Sequence, residues 1–458
     1  MMKLNPNMKL AWVKLLVVGL WLPAVAQGQF TFTTNSGAIT IKGYSGLGGA
    51  VVIPGTTNGY PVTSIGDNAF KHCTNITSIT IPESVTSIGR YAFDYCTNLT
   101  SLTIPNSVTI IRENAFDALL NLTNLTIPRS VTSIGSQAFF ACIRLTSVTI
   151  PDSVTHIGVE AFNGCSRLNL IKVDALNPAF SSVNGVLFNK NQSKLIECPG
   201  GKAGNYAVPD SVTSIGSEAF VSCECLSSVT IPNSVTNIGN GAFMGCGSLT
   251  NITIPNSVVN LGERPFWGCH SLKNVMIGNR VTKIGEYTFF YCNRMTSIII
   301  PNSVINIGEL AFGFCESLTN VTIPNSVTNI SNAMFYECAR LAHIVIPNSV
   351  TNIGEYAFYK STSLTNVIIP NSVFNLGANA FKKCHSLKNV TIGNCVTNIG
   401  GSAFQSCSNL TSVYFKGNAP SVGPDVFTGD TNAMIYYLPS TTGWGTTLGG
   451  RPTQLWNP

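Results

Sequence analysis

A 23-residue pattern repeats through most of the 458-residue chain and limits the folds that the chain can adopt. Its clearest marker is a phenylalanine that recurs every 23 residues in two groups, separated by a gap of two repeats plus a 12-residue insertion. These residues are Phe70, Phe93, Phe116, Phe139 and Phe162, then Phe220, Phe243, Phe266, Phe289, Phe312, Phe335, Phe358, Phe381, Phe404 and Phe427. A period of this length predicts stacked, near-identical coils rather than two or three ordinary globular domains.

One unit can be interpreted position by position. In the segment that begins at Leu249, alternating β-branched residues predict a short strand. Pro255 ends the strand, because a residue without an N–H cannot continue a central ladder. The segment 262–269 is predicted to return the chain with one turn of helix. The inward-facing positions of this unit are predicted to be Leu249, Ile252, Ile254, Val258, Leu261, Phe266 and Cys269.

A single unit leaves its apolar side chains open on both sides, so only stacking against further copies completes the core. The fold class that we predict is therefore a repeat solenoid of the leucine-rich-repeat type, with a parallel β-strand ladder and short helical or 3-10 return segments. Two apolar runs, 186–188 and 194–196, flank a polar turn and predict one β-hairpin-like insertion. Both ends of the solenoid are predicted to be capped.

Departures from the repeat divide the chain into segments. We expect a signal peptide at 1–26, an N-terminal cap at 27–66, leucine-rich repeats at 67–173, the hairpin-like insertion at 174–209, repeats again at 210–415 and a C-terminal cap at 416–458.

The first 26 residues have the order of a secretory signal peptide. Lysines precede the apolar stretch LLVVGLWLPAVA, and Ala24 and Ala26 form an A-x-A cleavage site. The alternative is an uncleaved membrane anchor, although the apolar run is shorter than the ~20 residues that a span needs. No later stretch is long and apolar enough to cross a bilayer. We therefore expect a mature chain without a transmembrane segment, secreted or at the cell surface.

The repeat unit L-x-x-[VI]-x-I-P-x-S-V-T-x-I-G-x-x-A-F-x-x-C resembles the BspA-like class of bacterial leucine-rich repeats. The resemblance extends from about Val62 to Phe427, and the insertion, with NPAF, NGVLFNK and LIECPGGK, is similar to a feature common in that class. It implies a curved parallel solenoid with strands on one face and short helical segments on the other. It also implies an extracellular or surface protein, adhesin-like in several members, with no shared catalytic residue.

Twelve of the fifteen cysteines lie three residues after a repeat phenylalanine. Equivalent positions in neighbouring coils are ~4.8 Å apart, whereas bonded cysteines prefer Cβ atoms ~3.8 Å apart. We therefore expect a column of core thiols rather than disulfides. Cys198, Cys225 and Cys395 lie outside this column, and a bond among them stays open.

Residues for catalysis, metal binding or cofactor binding do not cluster in the sequence. Cys223 and Cys225 form the only close cysteine pair, without the second pair that zinc sites need. No Ser-His-Asp set, carboxylate pair or glycine-rich phosphate loop breaks the repeat. The chain is therefore predicted to be non-enzymatic, without a metal or cofactor. Charged residues make up only 10% of the chain and form no basic patch, so nucleic acid is not an expected partner.

One outward-facing strand position changes character along the chain. It is occupied by Thr80, Thr103, Thr126 and Thr149 before the insertion. In five of the nine later repeats it is apolar or aromatic, and we call these five residues the apolar stripe: Met276, Ile299, Val345, Ile368 and Tyr414. Exposed apolar residues with a polar rim often mark partner surfaces. The alternative is drift among residues that all suit a strand.

Two functions remain open from the sequence. The first is a secreted, adhesin-like protein that binds an extracellular or surface protein through its strand face, including the apolar stripe. The alternative is a structural or carbohydrate-contacting cell-envelope protein, whose Thr, Ser and Asn columns would meet polysaccharide, with Tyr414 available to stack on a sugar. Competition by free oligosaccharide would distinguish the two.

Overall fold

The computed structural model describes residues 29–457, so the predicted signal peptide at 1–26 lies outside the described residues. Within this range the chain winds into a solenoid of stacked coils, each of which runs along three sides. Two sides carry strands that pair in parallel with the equivalent strands of the coils above and below. The predicted solenoid and its parallel ladder are confirmed.

The long-strand face is the sheet formed by the L-x-x-I-x-I part of each repeat. In it Thr253 pairs with Met276, 23 residues further on, and this offset of one repeat recurs along the stack. Its strands are Gly49–Val52, Ile76–Thr80, Ser101–Thr103, Leu125–Thr126, Ser147–Ile150, Leu170–Val173, Gly204–Ala207, Leu226–Thr230, Asn251–Thr253, Asn274–Met276, Ser297–Ile299, Asn320–Thr322, Asn366–Ile369, Asn389–Ile392, Ser412–Phe415, Met434–Tyr437 and Arg451–Leu455.

The short-strand face is the second sheet, formed mostly by two-residue strands just before the repeat glycine. Its strands are Tyr60–Ile65, Ser87–Ile88, Ile110–Ile111, Ser133–Ile134, His156–Ile157, Ser214–Ile215, Asn237–Ile238, Asn260–Leu261, Lys283–Ile284, Asn306–Ile307, Asn329–Ile330, Asn352–Ile353, Asn375–Leu376, Asn398–Ile399 and Ser421–Val422.

The third side, which we call the return face, runs from the repeat glycine to the cysteine. The prediction of helical return segments is wrong, since no return segment between residues 29 and 457 is helical. Tyr91 and Tyr95, two residues before and after Phe93, have left-handed φ values of 55° and 57°. The N–H of Phe93 donates to the carbonyl of Ala115 in the next coil at 2.8 Å. These N–H groups donate to carbonyls of the next coil and form a third ladder between coils. A helix needs the same N–H groups for hydrogen bonds within its own segment, so it cannot form here.

The core is built from columns of identical side chains. The predicted inward positions of the unit at Leu249, including Ile252 and Phe266, are all buried. Rings of successive repeat phenylalanines stack with centroids 4.8 to 5.6 Å apart and planes within 14° of parallel. This column is interrupted between Phe162 and Phe220, where the insertion lies.

The insertion contains three antiparallel strands: Phe180–Val183, Val186–Asn189 and Lys194–Glu197. The second and third form the predicted hairpin, and the first was not predicted. The third also pairs in parallel with Ser214–Ile215 and so joins the short-strand face. Leu187 packs into the core on the N-terminal side, whereas Val186 packs into the core that follows. The insertion therefore connects two stretches of solenoid.

Both ends of the described solenoid are covered by irregular strands. At the N-terminal end Phe30–Asn35 and Ala38–Tyr44 pair in antiparallel fashion, and Thr56–Thr57 pairs with Tyr60–Ile65. At the C-terminal end Thr447–Leu448 pairs with Arg451–Leu455. No helix in residues 29–457 has the length and apolar character that a membrane span requires.

Candidate binding surfaces

Four residues of the apolar stripe point out of the long-strand face. Met276, Ile299, Val345 and Ile368 are 63 to 78% exposed. Strand alternation explains this, since Ile298, the residue before Ile299, is buried in the core. The side chains of Met276 and Ile299 lie on directly paired positions of neighbouring strands, and Val345 pairs with Thr322 through a single bridge.

Polar side chains border the stripe. In the neighbouring outward column, the amide of Asn274 donates to the amide oxygen of Asn251 at 2.8 Å. The same ladder recurs between Asn389 and Asn366 at 2.9 Å. A shallow groove of about 380 Å³ lies beside Met276 and is lined by residues of both columns. An apolar surface with a polar, hydrogen-bonded rim is the arrangement found at protein interfaces.

The stripe is not a continuous strip. The long strand is missing in the coil that contains His343 and Val345, and the sheet resumes at Asn366–Ile369. Ile368 pairs with Thr391 in this last part of the sheet. The exposed part therefore consists of Met276 and Ile299 together, with Val345 and Ile368 further along the same face.

Tyr414 differs from the other stripe residues. It is half-buried, with its ring centroid 5.0 Å from that of Tyr436 and 5.0 Å from that of Trp456. Both partners belong to the segment predicted as the C-terminal cap. Because they lie 22 and 42 residues further along the chain, the repeat pattern gave no indication that they would cover Tyr414.

Sequence reasoning missed a second set of exposed apolar residues. Val259, Ile305 and Phe374 are exposed just before the short strands. They occupy a column that elsewhere holds threonines such as Thr86, whose hydroxyl donates to the carbonyl of Thr63. The criterion that identified the stripe, an apolar residue in a threonine column, would also have found these positions.

The buried cysteine column does not supply an activated nucleophile. Burial raises the pKa of Cys269 to about 12, so its thiol is a poor nucleophile. Its Sγ lies 3.2 Å from the carbonyl oxygen of Phe243, to which it donates. Within residues 29–457, no three His, Cys, Asp or Glu side chains come together as a metal site would require.

Comparison with protein families agrees with the repeat. The BspA type leucine-rich repeat region, in six copies, matches residues 61–193, 213–342 and 328–443. The chain belongs to this family of BspA-type leucine-rich-repeat proteins. Such repeat proteins serve protein interaction and are typically non-catalytic. No curated protein matches the chain significantly.

Several solved bacterial structures are similar to this chain. A leucine-rich repeat protein from Eubacterium ventriosum is 27% identical, with 74% of this chain and 94% of that chain covered, and a TM-score of 0.63. One from Bacteroides ovatus is 27% identical, with 90% and 94% covered and a TM-score of 0.53. A leucine rich cell surface protein from Faecalibacterium prausnitzii is 28% identical, with 71% and 93% covered and a TM-score of 0.46.

Proposed function

We propose that this chain is a secreted or surface-exposed, adhesin-like protein that binds a protein partner through its long-strand face. The observation that carries the proposal is the exposure of Met276, Ile299, Val345 and Ile368 on one face. Burying one such side chain in an interface stabilises a complex by ~1.5–3 kcal/mol. The Asn ladders beside the stripe supply a rim of fixed amide groups that can exclude water around these contacts.

The position of the stripe also supports the proposal. Parallel strands hold Met276, Ile299 and Ile368 on a rigid sheet, so little conformational entropy is lost when a partner docks. The corner residues Ile305 and Phe374 extend the exposed apolar surface of the same repeats toward the short-strand face. A partner that contacts several coils would bury all of these side chains at once.

The test is a charge substitution in the stripe. The double variant Ile299→Lys with Ile368→Lys is compared with the unmodified protein for binding to immobilised, purified extracellular-matrix proteins. We expect saturable binding by the unmodified protein and a loss of about 100-fold or more in the variant, because two buried contacts become two buried charges. Affinity that does not change in the variant would contradict the proposal.

The first half of the solenoid provides a matched control. Thr80 and Thr149 occupy the same outward position as Ile299 and Ile368, are also exposed and are likewise three coils apart, but they lie before the insertion. Thr80→Lys with Thr149→Lys adds the same two charges at the same separation to the same kind of strand. Binding should be unchanged in this control, and both variants should keep the thermal stability of the unmodified protein, because all four side chains face solvent.

Export is tested separately. If the segment 1–26 acts as a signal peptide, protein recovered from outside the cytoplasm should begin at Gln27. Mass spectrometry of the intact exported chain measures this directly. An exported chain that still carries residues 1–26, or protein found only in the cytoplasm, would contradict the secreted part of the proposal. The stripe variants would then still test the binding part.

A further inference from the structure

The return face carries a continuous row of aromatic side chains that the strand-face proposal does not use. We call it the aromatic ridge, and it consists of Trp267, Phe290, Tyr291, Phe314, Tyr336 and Tyr359. Each ring contacts the next, with centroid distances of 4.5 to 6.2 Å. The ridge spans five consecutive coils, and its rings are exposed or half-buried rather than part of the core.

The backbone beneath the ridge favours small residues. Tyr291 and Phe314 have left-handed φ values of 61° and 57°, which cost a bulky residue more than they cost glycine. In the two preceding coils the same position is Gly245 and Gly268, both with φ of 72°. Most other coils also hold a residue other than glycine at this left-handed position, Tyr95 among them, so the strain belongs to the repeat and the contacts between the rings define the ridge.

The absence of side chains at Gly245 and Gly268 forms a recess beside Trp267. Its volume is about 590 Å³, and Trp267 and Met244 supply its apolar wall. A methyl group at Gly268 would contact nothing closer than 3.9 Å, so these glycines are not required by crowding. The recess continues the line of the ridge by two coils.

Polar side chains also line the recess. They are Ser222, Glu224, Ser248 and His270. The Nδ1 atom of His270 lies 3.1 Å from the carbonyl oxygen of Tyr291, which fixes the ring between recess and ridge. Hydroxyl, carboxylate and imidazole groups therefore stand next to an exposed indole ring.

We propose that the recess and the aromatic ridge bind a neutral polysaccharide. Aromatic rings present flat apolar faces that suit the C–H faces of pyranose rings, and the polar groups of the recess can pair with sugar hydroxyls. Around Trp267 the charges argue against an anionic chain, whereas Lys360 and Lys383 lie 5.5 and 5.7 Å over the ring of Tyr359 at the other end of the ridge. A second recess on the other side of Trp267 contains Glu218, Glu263 and Glu286 but only one cation, Arg264, which lies 5.3 Å over the ring of Tyr287.

This site lies on a different side of the coils from the apolar stripe, so the two proposals fail or succeed independently. A proline-rich peptide is the other chain-like ligand that aromatic surfaces recognise. It offers few hydroxyls or N–H groups for the carboxylates, however, so the polar lining favours the saccharide.

The test uses affinity electrophoresis of the full chain in gels that contain mannan, xylan or a neutral β-glucan. Heparin and a polyproline peptide serve as the anionic and the proline-rich probes. The test variant is Tyr291→Gly with Phe314→Gly, which copies the residues already present at 245 and 268. We expect binding to at least one neutral polysaccharide and a loss of about tenfold or more in this variant.

Tyr95 supplies the matched control, since it occupies the same repeat position with a left-handed φ of 57° but lies outside the ridge. Tyr95→Gly should leave polysaccharide binding unchanged, and the melting temperature of both variants should stay near that of the unmodified chain. The stripe variant Ile299→Lys with Ile368→Lys should also bind polysaccharide normally. The proposal is overturned by no binding to any neutral polysaccharide, by equal binding in the ridge variant, or by binding to heparin or polyproline alone.

Discussion

At the residue scale, the cysteine column shows how a reactive side chain can occupy the same core position in many coils and stay a free thiol. In ten coils the Sγ atom lies 3.1 to 3.4 Å from the carbonyl oxygen of the phenylalanine 26 residues earlier. Ser361 makes the same bond to Phe335 at 3.4 Å. All fifteen cysteines are free thiols, in agreement with the expected column. The position therefore suits a small buried donor, although Leu119 and Asp430 fill it in two other coils.

Thiol labelling tests this role. Burial raises the pKa of Cys96 to about 12, and the other column thiols from Cys142 onward are equally enclosed. Cys225 is exposed, and Cys73 and Cys395 are half-buried. We expect a thiol reagent at pH 8 to modify Cys225 first and the buried column only after unfolding. Rapid native labelling of more than three thiols, measured by mass spectrometry, would contradict the buried column.

Glu197 is a buried carboxyl group at the end of the third strand of the insertion. Its Oε1 accepts a hydrogen bond from the N–H of Phe162 at 3.0 Å. Burial raises the pKa of Glu197 to about 8, against the smaller lowering effect of that N–H, and the nearby Glu160 adds to the rise. The folded state therefore holds this proton more tightly than the unfolded chain does.

The resulting pH dependence has a definite sign. Because the folded pKa lies above the unfolded value of 4.5, the contribution of Glu197 to the free energy of unfolding is complete below about pH 4.5 and is lost as the pH rises through 8. Glu197→Gln should remove this loss. At pH 8 its free energy of unfolding should exceed that of the unmodified protein by on the order of a few kcal/mol. Urea unfolding at pH 5 and pH 8 measures the difference, with the exposed Glu83→Gln as control. An equal effect of Glu197→Gln on the free energy of unfolding at both pH values would contradict the raised pKa of Glu197.

At the element scale, the side chain of Asn177 anchors the start of the insertion to the preceding repeat. The fully buried Asn177 donates to the carbonyl oxygens of Pro151 and Val154 at 2.6 and 2.9 Å. Its own side-chain oxygen accepts from the N–H groups of Ala179 and Phe180 at 2.9 and 2.8 Å. These four bonds hold the start of the insertion before its first strand begins.

Asn177→Ala should therefore destabilise the protein. The substitution leaves two buried N–H groups and two carbonyls without their partner, which we expect to lower the free energy of unfolding by about 2–4 kcal/mol. Asn191, in the exposed turn of the same insertion, also bonds through its side chain, but to Ser193 in solvent. Asn191→Ala should therefore lose little stability. Denaturant unfolding of Asn177→Ala and Asn191→Ala measures the difference in the free energy of unfolding. Small losses of similar size in both variants would show that Asn177 does not anchor the insertion.

At the scale of the whole molecule, stability is distributed between neighbouring coils. Strands make most of their contacts with the next strand of the same stack, 23 residues away. A coil is thus a unit that can be removed if both new neighbours still match. The three sides are also independent surfaces, so the apolar stripe and the aromatic ridge can serve different ligands.

Deletion of a single coil tests this arrangement. Removal of residues 117–139 joins Phe116 to Phe140 and preserves the 23-residue spacing. We expect this variant to keep the circular dichroism signal per residue of the full chain. It should also melt cooperatively, with a melting temperature within several degrees of that of the full chain. Removal of residues 118–139, one residue fewer, shifts the strands by one position and turns core side chains outward. Equal stability of the two deletions would contradict strict register between coils.

The sequence by itself determined the solenoid, its core and its exposed strand positions. A column such as that of Phe266 and Cys269 is buried in nearly every coil because each copy has the same neighbours, so one repeat unit predicts the rest; the exception is the half-buried Cys73. The same logic placed Met276 and Ile299 outward. The 23-residue period predicts the buried and exposed positions because each coil packs mainly against the coils next to it.

Only the tertiary structure decided the features that depend on backbone conformation or on distant segments. The return segments are successive turns rather than helices, because their amides bond between coils. Tyr414 is covered by Trp456, which no repeat pattern links to it. The aromatic ridge forms because Tyr291 and Phe314, which lie in different coils, are brought to a ring separation of 4.6 Å by stacking. These arrangements depend on which side chains the coils bring together, and the 23-residue period alone does not specify that.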